Sequence, residues 1–144
     1  MDDVLLSPHF SYAEMTRTDT GIPNEPNPEQ LSELVMLCTD ILEPARLLLG
    51  PIKINSGFRT LAVNTAIHGA KTSQHMKGQA ADIVPITRDL EFAYQWLKAT
   101  DLPYDQLIVE PTWLHVSIAN MGKKPRHQTL RAHMTDQGMV YEPA

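Results

Sequence analysis

The sequence predicts an α+β fold: one domain with a mostly antiparallel sheet and helices packed on one side. Some segments have apolar residues spaced by three and four, which is typical of helices. Between them lie short runs that are either wholly apolar or alternate between apolar and polar residues, which is typical of strands. Their order is helices, strand, helix, strand, helix and then a hairpin. The 144 residues suit a single domain over 1–144, with a core at about 7–118 and a C-terminal extension at 119–144.

The first helices have recognisable starting signals. Ser11 to Glu14 resembles a capping box that opens a short helix. Residues 18–28 contain three prolines, which excludes a regular helix or central strand there. Asn27 as the cap and Pro28 at the first helical position then predict the start of a long helix.

This long helix should have one apolar face and an interruption. Pro44 should kink or split it, because proline has no N–H to donate, and Gly50-Pro51 should end it. The apolar face comprises Leu31, Leu34, Val35, Cys38, Ile41, Leu42 and Ala45.

Strands and helices alternate after the long helix. Residues 52–55 alternate as a strand does, and residues 60–67 indicate a short helix. The polar stretch 69–79 is predicted to be a loop, and residues 80–84 a buried strand. Thr87 is predicted to cap a helix that ends at Lys98.

The C-terminal part is predicted to contain a hairpin. Residues 106–109 and 113–118 read as two strands joined by a tight turn at 110–112. The tail beyond them is expected to be an extra strand or an extension.

Composition excludes several classes of protein. A net charge of −5 and a pI of about 5.6 argue against a nucleic-acid binder, although residues 123–131 form a local basic patch. Cys38 stands alone, so no internal disulfide is possible, and its apolar context predicts a buried core thiol. No apolar run is long enough to span a membrane, and no apolar seam indicates an obligate dimer, so we expect a monomer without a membrane partner.

The N-terminus does not resemble a signal peptide. Residues 1–8 begin with acidic residues and contain only a short apolar run. The protein is therefore expected to be made in the cytoplasm, and any action on a cell wall would require its release.

His75 and Asp82 are the first candidates for chemistry. Asp82 lies in the apolar run Ala80-Ala81-Asp82-Ile83-Val84, and a carboxylate in such a setting needs a cationic partner. His75 precedes it on the predicted loop.

His115 completes a possible metal site. Strand alternation puts Trp113, His115 and Ser117 on one face, whereas Leu114, Val116 and Ile118 form the core face. Two histidines and one carboxylate are a sufficient ligand set for catalytic zinc, which keeps a fourth position for water. On spacing alone, a structural histidine with an ion-paired aspartate is the favoured interpretation.

Several blocks between about residues 7 and 118 form recognisable motifs, in a fixed order. They are the pattern Ser73-x-His75-x-x-Gly78-x-Ala80-x-Asp82, Ser56-Gly57-Phe58-Arg59 with Val63-Asn64, Asp105-Gln106-Leu107-Ile108, Trp113-Leu114-His115-Val116-Ser117, and Ser7-Pro8-His9-Phe10-Ser11 with Glu14-Met15. Together these blocks resemble one known family, the zinc D-Ala-D-Ala carboxypeptidases and their phage L-alanyl-D-glutamate endolysin and Hedgehog relatives.

The resemblance implies a zinc metallopeptidase that cuts peptidoglycan stem peptides. His75, Asp82 and His115 would hold Zn²⁺, and Arg59 would contact the substrate, since a guanidinium suits a carboxylate or a developing oxyanion. Ser73, and more weakly Gln74, would help to bind substrate. The small size favours the phage and bacterial branch, which suggests a phage-associated enzyme.

One position departs from the family pattern. Many members have a general-base Glu or Asp three residues before the last histidine ligand, but this chain has Thr112 there. We expect Glu110 to supply the carboxylate, with Asp105 as the alternative. If neither reaches the metal, the domain would be a zinc-containing, non-catalytic peptidoglycan-binding or phage structural module.

Overall fold

The computed structural model describes residues 3–144. Residues 1 and 2 begin the N-terminal segment that is not expected to be a signal peptide, and they lie outside the described residues. Five α-helices and eight strands are present in these residues. They are β1 (Leu5–Ser7), β2 (Phe10–Ser11), α1 (Tyr12–Thr16), α2 (Pro28–Leu37), α3 (Glu43–Leu49), β3 (Ile52–Ser56), α4 (Leu61–Ala66), β4 (Ala80–Pro85), α5 (Leu90–Lys98), β5 (Gln106–Val109), β6 (Leu114–Ser117), β7 (Gln128–Thr135) and β8 (Gly138–Pro143).

The sheet confirms the predicted α+β class. Six strands pair in the order β3-β4-β6-β5-β7-β8, and every pair is antiparallel except β5 with β7. The expected extension, residues 119–144, supplies β7 and β8 and so widens the sheet. No helix in residues 3–144 has the length and apolar character needed to cross a membrane.

The two helix starts agree with their sequence signals. Ser11 and Asn27 each accept a hydrogen bond from the backbone of the third helical residue, whose side chain bonds back to the cap. These reciprocal bonds satisfy N–H groups that would otherwise lack partners at the helix ends.

Pro44 interrupts the long helix as expected, and the interruption takes the form of a wide turn. Residues Cys38–Leu42 are π-helical, and the Glu43 N–H bonds to the carbonyl of Cys38 five residues earlier. Since Pro44 has no N–H, the helix cannot continue its regular ladder through this position. Cys38 is buried in the core as predicted, and burial raises the pKa of its thiol to about 12.

One helix cap and one loop differ from the prediction. Asp89, not Thr87, caps α5, because its carboxylate accepts from the Phe92 N–H. The loop expected over 69–79 contains a one-turn 3₁₀ helix at Gln74–Lys77. Short capped turns of this kind leave no periodic apolar signal in a sequence.

The sheet has one apolar face and one polar face. Its apolar side chains pack against those of α2, α3 and α5 in a single core. The strands contribute Ile52, Ile54, Ala81, Ile83, Leu107, Val109, Leu114 and Val116 to this core. Side chains at the alternate positions, Asp82 and His115 among them, point to the other face.

Gly78 is required by both its conformation and its neighbours. Its φ is +74°, and a Cβ built there would lie 2.3 Å from the backbone oxygen of Gln30 on α2. The turn that carries His75 can therefore pack on α2 only if residue 78 lacks a side chain.

Gly78→Ala should lower the free energy of unfolding by about 3 kcal/mol, the sum of left-handed backbone strain and a backbone clash. Gly122→Ala is the matched control, because Gly122 has φ +79° and open space around it; it should cost about 1 kcal/mol. Urea denaturation measures both. Equal losses of stability in Gly78→Ala and Gly122→Ala would contradict the role assigned to the close approach of Gly78 to α2.

Candidate metal centre

His75 is held by the 3₁₀ turn and by the chain that follows β3. Its backbone N–H bonds to the Ser73 hydroxyl at 3.2 Å, and its ring Nδ1 lies 2.7 Å from the carbonyl oxygen of Gly57. A carbonyl only accepts, so Nδ1 carries the proton and Nε2 presents a lone pair. Burial lowers the pKa of His75, which favours the neutral ring.

Asp82 and His115 are direct cross-strand neighbours on β4 and β6. The Asp82 Oδ1 lies 3.2 Å from the His115 Nδ1 and 3.2 Å from the His75 Nε2. Burial opposes ionisation of Asp82, but the two histidines outweigh it and hold the pKa of Asp82 well below its usual range. An ionised carboxylate thus faces two imidazole nitrogens.

This donor set suits a divalent cation. One ligand atom from each of the three residues lies within 4.8 Å of the other two. Electron-pair donors at 3.2 Å from each other repel unless a proton or a cation lies between them. Ligands about 2.0–2.1 Å from a tetrahedral zinc ion are about 3.3 Å apart, close to the separation seen here. The Gly57 carbonyl orients His75 from behind, as outer partners of metal ligands do.

Arg59 contacts the metal-site carboxylate rather than pointing freely into solvent. Its Nη2 lies 3.1 Å from the Asp82 Oδ2, its Nε donates to Ser56 and its Nη1 to Asn64. Arg59 therefore occupies the Asp82 oxygen that does not face the histidines. It still lines the cleft, so its predicted contact with substrate remains a prediction.

Glu110 lies in the same cleft as Asp82 and His115. Its side chain is 8% exposed, and burial raises its pKa, with His115 opposing the rise and Asp82 adding to it. Thr112 is exposed on the turn and does not line the cleft. Glu110 is thus a buried carboxylate in the cleft whose raised pKa makes it a stronger base than an ordinary glutamate.

Asp105, the alternative base, is committed to other contacts. It is 5% exposed, and the Arg126 side chain bonds to its carboxylate at 2.6 Å. The Arg126 backbone N–H and the Gln74 amide bond to it as well. These bonds, that of Arg126 first, lower the pKa of Asp105, so it is a poor proton acceptor.

The two weaker substrate-binding candidates also make internal bonds. The Gln74 amide nitrogen donates to Asp105 and to the carbonyl of Ile118. The Ser73 hydroxyl accepts from His75. Both residues line the cleft, so their contacts with substrate remain predictions.

These residues lie in one open cleft of about 900 Å³ on the polar face of the sheet. Sequence reasoning did not place Arg126 and Tyr141, which come from the C-terminal extension, in this cleft. The alternation of Met139-Val140-Tyr141-Glu142 is a strand signal that could have indicated Tyr141. No signal in the sequence pairs Arg126 with Asp105, because the contact spans 21 residues.

Comparisons with known proteins agree with the resemblance. Residues 8–117 match the family described as Peptidase M15. Over 87 residues the chain is 33% identical to a protein of Streptomyces albus G named zinc D-Ala-D-Ala carboxypeptidase, and the match covers 57% of this chain. The chain spans about a third of the length of this curated relative.

Added Zn²⁺ should raise the melting temperature of the wild-type chain, because a ligand that binds only the folded state stabilises it, by about 2.7 kcal/mol at a hundredfold excess over Kd. His115→Ala should abolish the rise. His133→Ala is the control, since His133 pairs with Glu142 outside the cleft. Differential scanning fluorimetry with and without chelator measures the effect; an unchanged rise in His115→Ala would contradict the assignment.

Arg126→Ala should reduce stability by about 1 kcal/mol at pH 7, a modest loss because Arg126 is half exposed. The pKa of Asp105 is lowered in the folded state, so its contribution is complete above its unfolded pKa of about 3.9 and disappears as pH falls through the lower folded value. Urea denaturation should show a constant difference in the free energy of unfolding between wild type and Arg126→Ala from pH 7 down to about pH 4. Below about pH 4 this difference should become smaller. A difference in unfolding free energy that does not narrow at all between pH 4 and pH 3 would exclude the ion pair as its cause.

Proposed function

The chain belongs to the Peptidase M15 family, and from this premise we propose that it is a zinc peptidase that hydrolyses stem peptides of bacterial peptidoglycan. The observation that carries the proposal is the convergence of His75, Asp82 and His115 beside a buried Glu110 in one open cleft. The named activity of the Streptomyces albus G relative supports the choice of metal and substrate.

His75, Asp82 and His115 would hold the ion. When bound there, zinc would supply Lewis-acid chemistry, which would polarise a peptide carbonyl and make water a stronger acid. Asp82 brings a negative charge, and Arg59 keeps its second oxygen occupied so that one oxygen alone faces the histidines. The open cleft gives an extended peptide access to this group.

Glu110 would act as the proton carrier. Burial raises its pKa, which makes the carboxylate a stronger base, so it would take a proton from water and return it to the leaving amine. Asp105 is tied to Arg126 and cannot play this part without breaking that pair. Glu110 thus takes the role for which many family members use the position of Thr112.

Two bonds of the stem peptide are candidates, D-Ala-D-Ala and L-Ala-D-Glu. The open shape of the cleft admits a chain that continues on both sides of the cut bond, so we include the endopeptidase activity in the proposal. Action on the cell wall or in the periplasm after release, including by a phage, is part of the same proposal.

The direct test combines zinc analysis of the purified protein with mass spectrometry of soluble stem peptides after incubation. One zinc per chain and chelator-sensitive cleavage are expected, and the product masses identify the bond. One zinc without cleavage of either bond would instead support the non-catalytic binding module. Absence of bound zinc after loading would overturn the proposal.

Glu110→Gln should lower kcat at least a hundredfold and leave the zinc content unchanged, because the amide cannot accept the proton. Asp105→Asn is the matched control, the same change in the same cleft; it should keep most of the activity and lose stability. End-point assays of peptide cleavage measure the activity of the two variants, and melting curves measure their stability. A folded but inactive Asp105→Asn beside an active Glu110→Gln would assign the base to Asp105.

A further inference from the structure

Tyr141 shares a row of the sheet with Glu110. Strand β7 pairs in parallel with β5, with Arg131 beside Val109, so the following residues, Ala132 and Glu110, are next to each other. Strand β8 then places Tyr141 opposite Ala132. The three residues therefore form a row that crosses from the end of β5 over β7 to β8, and the residue between Tyr141 and Glu110, Ala132, has only a methyl side chain.

The row faces the cleft. Ile108 is opposite His115, and Glu110 follows Ile108 by two residues, which returns it to the same face. The neighbouring row points the other way, since Arg131 pairs with Glu91 on α5. Tyr141 therefore lines the cleft together with Glu110, although it is 49% exposed overall.

The chemistry of the pair is complementary. Burial raises the pKa of Tyr141, and the Glu110 carboxylate raises it further, so the phenol keeps its proton at neutral pH. A phenol O–H can donate to a carboxylate oxygen, and an ionised carboxylate can only accept. The other titratable groups that influence Glu110 are His115 and Asp82, both from the sheet.

We propose, on the basis of the function proposed above, that Tyr141 is a positioning residue that donates a hydrogen bond to Glu110 and holds one carboxylate oxygen toward the metal centre. The match to the Peptidase M15 family ends at residue 117, so β8 and Tyr141 lie beyond it. The C-terminal hairpin thereby completes the catalytic apparatus of this chain.

Tyr141→Phe in the full, zinc-loaded chain removes only the hydroxyl. We expect unchanged zinc content, a KM within about twofold of wild type and a kcat lowered roughly tenfold, as loss of one hydrogen bond to a charged group implies. A donor to the charged form lowers a carboxylate pKa, so the acidic limb of the kcat profile should move to higher pH. Tyr12→Phe, on α1 outside the cleft, is the matched control and should match wild type. A wild-type kcat and pH profile in Tyr141→Phe would overturn the proposal.

A second measurement tests the contact without hydrolysis. In ¹³C-labelled protein, the ring signals of the four tyrosines report their ionisation, and Tyr141→Phe assigns the signal of Tyr141. In Glu110→Gln, the pKa of Tyr141 should fall, because the neighbouring negative charge is gone. An unchanged Tyr141 titration would overturn the proposal. If wild type cleaves no peptide, the proposed function fails, whereas this titration still decides whether Tyr141 contacts Glu110.

Discussion

The buried carboxylate of Asp82 is the interaction on which the arrangement of this site depends. It lies in an otherwise apolar strand, where an unpaired charge would be strongly unfavourable. One of its oxygens faces His75 and His115, and the other meets Arg59. The Asp82 side chain therefore links β4 to chain segments on both of its sides. Asp82, His75, His115 and Arg59 must become ordered together.

A local irregularity in β3 brings Arg59 into this cluster. Ile54 pairs with Ile83 and Ser56 with Asp82, so β3 has one more residue than β4 over this interval. Such a bulge reverses the alternation of side chains. Ser56 therefore turns from the core face to the cleft face, where its hydroxyl accepts from the Arg59 Nε. The bulge thus orients the arginine that supports Asp82.

Asp105 has a comparable role at the other side of the cleft. It joins Gln74, next to a metal-site histidine, to Arg126, at the entry of the C-terminal hairpin. The Gln128 N–H also bonds to its carbonyl. Because Asp105 links these segments, the hairpin is positioned relative to the metal centre, and Tyr141 reaches the cleft as a consequence.

The fold class could be predicted from the sequence, and so could the grouping of His75, Asp82 and His115 as candidate metal ligands. Helix caps at Ser11 and Asn27, the interruption at Pro44 and the alternation around His115 are local signals, since they depend on neighbours a few residues apart. A carboxylate in an apolar strand is likewise visible locally, because its burial requires a partner. The resemblance to a zinc peptidase family then linked Asp82 to the two histidines.

Only the tertiary structure decided which partners meet across the chain. It paired Asp105 with Arg126, a contact that depends on how residues 21 positions apart come together. It also brought Tyr141 to Glu110 through two strand pairings. Strand register and strand order arise from packing of the whole core rather than from local preference. The sequence by itself therefore indicated the candidate metal ligands, whereas the tertiary structure decided which groups surround them.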